Sequence, residues 1–196
     1  MKSKKSFEII CRLILPIAFV YGLILPFCWH NNVLDPMGTL SLLCEDRKLF
    51  FWLWGILGSG GIVLNSIYLY KSCSCTSRLI RLMSLLSFVG MCAIAATLGH
   101  SIADWNPKRV LHWIATGVFI VLTFLPLFLC FVTKRREYKS FGKFAVVVLL
   151  ILACFAVIFI VVGKCALMEM VPMALMQLFL FLLNHTKLFP VARLNS

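Results

Sequence analysis

Four ionisable residues of this chain have the types and spacing to share one site: His100, Asp104, His112 and Glu169. His100 and Asp104 are four residues apart, so a helix would carry both on one face. His112 follows the pair Asn106-Pro107, where the residue before proline is pushed out of the helical region. A hairpin through that break returns His112 to the depth of His100. Glu169 is five residues past Lys164, so a helix starting there carries it about 7 Å along its axis. All four fall within or beside long apolar runs, where an ionised group is costly and marks a functional hypothesis by default.

Two imidazoles and two carboxylates are donors that zinc accepts, and a catalytic zinc keeps one coordination position open. His100, His112 and Glu169 are then the candidate metal ligands. With Asp104 they are also the candidate catalytic residues of a membrane-embedded hydrolase or lipid-remodelling enzyme. Without a metal, the same four make a polar pocket for a lipid headgroup or a small polar ligand. A haem between His100 and His112 fits less well, because a tight hairpin sets the two rings side by side. The plainest alternative is a set of interfacial residues reaching water, with Asp104 paired to Lys108 or Arg109 for about 0–1 kcal/mol. Neither an HxxxH pair nor the nucleophile motif GxSxG is present. His185 reads as interfacial, and His30 joins the cluster only if the first loop folds inward.

The elements that position these residues follow from composition. The chain has 196 residues, 62% of them hydrophobic, and a mean hydropathy of +0.99. Soluble domains are about 45–50% apolar. A helix needs about 20 apolar residues to cross a bilayer core. Six such runs predict helices over about 9–28, 49–70, 79–103, 110–132, 144–162 and 166–183. The fold class is therefore all-α: a polytopic membrane protein forming a single six-helix membrane domain over 1–196. The basic start MKSKKSFEIICR resembles a signal peptide, but the apolar run after it is too long and lacks a small-x-small cleavage site. The segment GILGSGG in the second run resembles a phosphate-cradling loop, yet no Lys-Ser/Thr follows. Small residues there suit close helix packing in lipid, at Gly58 and Gly61 in particular.

The formal charge of +12 is read as the excess of Lys and Arg that cytoplasmic loops carry, and there is no basic domain to bind nucleic acid. With both termini cytoplasmic, the inner segments collect Lys2, Lys4, Lys5, Lys71, Arg78, Arg81, Lys134, Arg135, Arg136, Lys139, Lys143, Lys187 and Arg193. The outer ones collect Arg47, Lys48, Lys108, Arg109 and Lys164, so thirteen against five sets the orientation. The five tryptophans then fall at outer helix ends, and Tyr68, Tyr70 and Tyr138 at inner ends, as interfacial belts would require. This threading expects an integral membrane protein, of a bacterial inner membrane in preference to a eukaryotic endomembrane. Membrane lipids are the expected partners; the oligomeric state is open. Of the nine cysteines, Cys28 and Cys44 fall on the expected outer side and can pair there. The CxC of Cys73 and Cys75 is too short for a zinc ribbon.

Ser41 in GTLSLL, His112 in RVLHW and Glu169 in GKCALME also form a pattern. It resembles that of bacterial six-span membrane proteins of unknown function and, more distantly, the DRAM-type group, which includes a GPI-lipid remodelling relative. The resemblance covers the chain by topology and about four positions by residue. It implies a lipid-facing role with Ser41, His112 and Glu169 at the ligand. The chain departs from the pattern at Met170, where an arginine is expected. The expected function is thus an outer-leaflet pocket for a lipid headgroup or small polar ligand. The alternatives are the metal-dependent hydrolase and a small transporter, the last disfavoured by the lack of an inverted repeat.

Overall fold

The structure is a computed structural model that describes residues 2–29, 48–75, 77–97, 107–163 and 165–186; the side chains of 2–5, 25–29, 108 and 109 are outside that description. The described residues form six helices: α1 (Lys2–Trp29), α2 (Lys48–Ser72), α3 (Arg78–Ala96), α4 (Pro107–Lys134), α5 (Phe141–Val161) and α6 (Ala166–His185). Each contains a segment long and apolar enough to cross a membrane. The outward faces agree with a lipid solvent. Ile9, Leu13, Ile17, Val20 and Ile24 stand exposed along α1 at steps of three and four residues. In water such a stripe would be an aggregation liability.

Sequential helices pack side by side, and α1 also meets α6, so the six close into a ring. Helix α2 is drawn inward and touches α1, α3 and α6, with a few contacts to α4. Its glycines make this possible. A Cβ at Gly58 would lie 2.9 Å from Met173 Cε and 3.1 Å from Gln177 Nε2 on α6. One at Gly61 would lie 3.3 Å from Leu15 Cδ2 on α1. A Cβ at Gly55 would collide with the Met91 side chain on α3, so the small-residue segment is a packing surface shared among three neighbours, as its composition suggests.

Several helix ends differ from expectation: α1 begins at Lys2, seven residues before the expected start, and α5 at Phe141, three residues before. Helix α3 stops at Ala96 with Thr97 as its C-cap, seven residues before the expected end. The Thr97 hydroxyl donates back to the carbonyls of Ala93 and Ile94 at 2.8 and 3.0 Å, and so satisfies acceptors that a continuing helix would have used. Helix α4 starts earlier than expected, with Pro107 as its first residue, where the missing N–H has no cost.

The turn from α2 to α3 closes without a glycine. Ser74 takes a left-handed φ of 51°. Cys75 N–H donates to the Tyr70 carbonyl at 2.8 Å, and Ser74 N–H to that of Lys71 at 3.3 Å. This is the paired Schellman arrangement that caps helix C-termini. It turns both flanking cysteines inward and leaves Ser74 exposed.

The aromatic belts are partly internal. Trp54 is buried against Phe51, with ring centroids 5.4 Å apart. Tyr70 is fully buried and exchanges a 3.0 Å hydrogen bond with Ser84 on α3. Trp113 remains half exposed. A ring near a helix end thus faces the bundle or the surroundings according to its position around the helix, which an end-of-helix count does not resolve.

Candidate functional site

Five of the six helices surround one cavity. Phe51 and Trp54 come from α2, Met91 and Ile94 from α3, and Thr116, Phe119, Ile120 and Phe124 from α4. Leu152 and Phe155 come from α5, and Met168, Glu169, Pro172 and Met173 from α6. The empty space is about 580 Å³, part of it open to the surroundings.

The polar groups of the wall are few. Glu169 is half-buried in the first turn of α6. Thr116 is on α4, its hydroxyl donating to the His112 carbonyl at 2.8 Å. Pro172 has no N–H, so the Met168 carbonyl one turn earlier lacks the donor that residue 172 would otherwise supply. Side-chain carboxylate, hydroxyl and backbone carbonyl are all acceptors, whereas the rest of the wall is aromatic, aliphatic and thioether.

Of the residues singled out from sequence, Glu169 is on this wall. His112 lies one turn from Thr116 with its ring turned to α3: Nδ1 is 3.1 Å from Thr97 Oγ1. The single hydroxyl proton of Thr97 goes to a carbonyl of its own helix, so Nδ1 of His112 is the donor in this contact. Ser41, His100 and Asp104, like His30, Cys44 and Trp105, lie outside the described residues, as does the side chain of Cys28. Among the described residues, no three of His, Cys, Asp and Glu converge to hold a metal.

A second polar group, at the opposite end of the bundle, was not legible as a unit in the sequence. Asn65 on α2 is fully buried. Its Nδ2 donates to the Cys11 carbonyl on α1 at 2.9 Å and to the Gly61 carbonyl at 3.0 Å. Asn184 Nδ2 on α6 donates to the Asn65 carbonyl at 2.9 Å. His185 Nε2 lies 2.8 Å from Asn65 Oδ1. Since Asn65 spends its amide protons on carbonyls, Oδ1 accepts and His185 Nε2 must donate. The ring also packs on Tyr68 and Phe181, with centroids 5.5 and 5.8 Å apart. His185 is thus a half-buried bridging residue and not the simple interfacial one its position near the chain end suggests. Two asparagines inside apolar runs were the available signal, since polar residues in membrane helices commonly join helices.

Comparison with protein-family models, with characterised proteins and with solved structures gives no match, so the conclusion on fold rests on this chain's own geometry: the described residues form an all-helical fold with six helices able to span a membrane.

Proposed function

We propose that this protein binds an amphiphile within the membrane, with a donor headgroup at Glu169 and an apolar tail along the aromatic and methionine wall. One observation carries the reading: a carboxylate lies on the wall of an otherwise nearly apolar cavity bounded by five helices. The acceptors at Glu169, Thr116 and the Met168 carbonyl favour a head rich in N–H donors, and a carboxylate favours one that is cationic. An amine-headed lipid meets both demands. Methionines 91, 168 and 173 on the wall adapt their shape easily, which suits a flexible chain better than one rigid ligand. The reading agrees with the lipid-facing role that the six-span resemblance implies.

The test is lipid retention. Protein purified from native membranes in mild detergent is compared with Glu169→Gln by native mass spectrometry and lipid extraction. A charge-assisted hydrogen bond is worth about 1.5–3 kcal/mol, so the variant should hold an amine-headed lipid about ten-fold or more less tightly. Equal retention by both proteins would remove the proposal. Stoichiometric zinc in the purified protein, lost on substitution of His112 or Glu169, would instead support the metal-dependent hydrolase.

A further inference from the structure

Cys73 and Cys130 stand 57 residues apart in sequence, yet their sulfurs are 3.7 Å apart. Cys73 follows the last residue of α2, and Cys130 is in the last turns of α4. Both are fully buried. The Schellman turn at Ser74 holds Cys73 in place, and Cys75, two residues on, is also buried. A free buried cysteine is usually only a small hydrophobe. Here two thiols meet across two helices that otherwise touch little. At this distance they share a hydrogen bond, and an S–S bond of about 2.05 Å needs only a small approach.

We propose that Cys73 and Cys130 form a reversible redox pair that a small peroxide oxidises to a disulfide joining the end of α2 to the end of α4. The Cys73 thiol is held below the usual thiol range. The main cause is the hydrogen bond from the Cys130 thiol; burial opposes it, and the Lys134 ammonium adds to the lowering. Cys73 is therefore the attacking group, because the thiolate is the nucleophile. The Cys73 thiolate attacks one peroxide oxygen. The O–O bond breaks, and the leaving hydroxide takes up a proton to give water. The Cys73 sulfenic acid is then attacked by the Cys130 sulfur. The S–S bond forms, the S–O bond breaks, and a second water leaves with the Cys130 proton. The two thiols lose two electrons and the peroxide gains them. A dithiol reductant reverses the step by thiol–disulfide exchange.

The setting suits a transient bond. On the threading expected from the charges, this end carries Lys71, Arg78 and Lys134 on the cytoplasmic side, where glutathione keeps thiols reduced. Full burial excludes bulky thiol reagents, so the oxidant must be small, and hydrogen peroxide is close to the size of water. Helix α4 also supplies Thr116, Phe119 and Phe124 to the cavity, so the bond would tether a helix that forms its wall.

The experiment uses the full-length wild-type protein in its membranes. Samples are exposed to hydrogen peroxide, denatured in an alkylating reagent, and mapped by peptide mass spectrometry with fragmentation. The expected result is a peptide linking Cys73 to Cys130, the loss of two alkylatable thiols per chain, and recovery of both after dithiothreitol. Cys130→Ser should abolish the link and leave Cys73 as a sulfenic acid that dimedone, present during denaturation, traps; Cys75→Ser should retain the link. Full alkylation of Cys73 and Cys130 in peroxide-treated wild type would overturn the proposal, and so would a link from Cys75 to Cys130 in place of it. The wild-type map decides the matter even if a variant fails to fold.

Discussion

A single asparagine holds three helices at one end of the bundle. Asn65 gives both amide protons to carbonyls on α1 and α2, and takes protons from Asn184 and His185 on α6. Asn65→Leu removes these side-chain bonds together and strands the donor of His185, while Asn184 keeps its bond to the residue-65 carbonyl. Interhelical hydrogen bonds in membranes average about 0.6 kcal/mol and reach about 1.7, while a stranded buried donor costs about 1–3 kcal/mol. The variant should therefore lose about 2–4 kcal/mol, measured as a lower melting temperature in detergent. His185→Ala should cost less, since it removes one bond and two ring contacts. Equal melting of Asn65→Leu and wild type would show that these bonds contribute nothing net. At the opposite end Glu169 has a different place, on a cavity wall, and its substitution should act on ligand retention more than on melting.

At the scale of elements, α2 organises the bundle because its glycines let neighbours approach on three sides: α3 at Gly55, α6 at Gly58 and α1 at Gly61. At Gly58 a Cβ alone would come within 3.0 Å of a methionine methyl and near a glutamine amide on α6. Leucine there must displace the Met173 and Gln177 side chains of α6, and overpacking typically costs about 1–3 kcal/mol. Gly58→Leu should lower the melting temperature, and the displaced Met173, a cavity-wall residue, should reduce lipid retention with it. At Gly117 on α4 an added Cβ would meet nothing within 4 Å, so Gly117→Ala is the control. It should be neutral or slightly stabilising, since glycine costs up to about 1 kcal/mol within a helix. If Gly58→Leu melts like Gly117→Ala, the close approach of α2 to α6 is not present in the folded protein.

For the whole molecule, the testable property is the threading. The Cys73–Cys130 contact places the α2–α3 and α4–α5 turns at one end. The Asn65–His185 bond adds the end of α6 to it. Lys71, Arg78, Lys134, Arg135, Arg136 and Lys139 thereby gather on one side of the bundle, and that side should face the cytoplasm. In a background without reactive cysteines, Glu137→Cys should react with an impermeant maleimide only in inverted or opened vesicles. Asn106→Cys should react in intact, outward-facing vesicles. Glu137 is exposed and paired with Lys134 within its own turn, so replacing it disturbs little. Labelling of both positions from the same side would end the six-span threading.

Six helices were legible in the sequence because a bilayer imposes a length on any apolar run that crosses it, and that length can be counted without knowing any partner. The packing role of the GILGSGG segment was legible for a related reason: small side chains admit close backbones whichever helix approaches. Glu169 stood out because a carboxylate in an apolar run is costly wherever it sits. The wall around it could not be read this way. Phe51, Met91, Phe119 and Met173 look like any other apolar residues of their runs, and only the arrangement of five helices directs them into one space. The same holds for Asn65 with His185 and for Cys73 with Cys130, pairs 120 and 57 residues apart. Local sequence determines which segments become helices; which faces meet is decided by the packing of the whole bundle, because in lipid an apolar face has no preference between a neighbouring helix and the membrane until shape and hydrogen bonds choose.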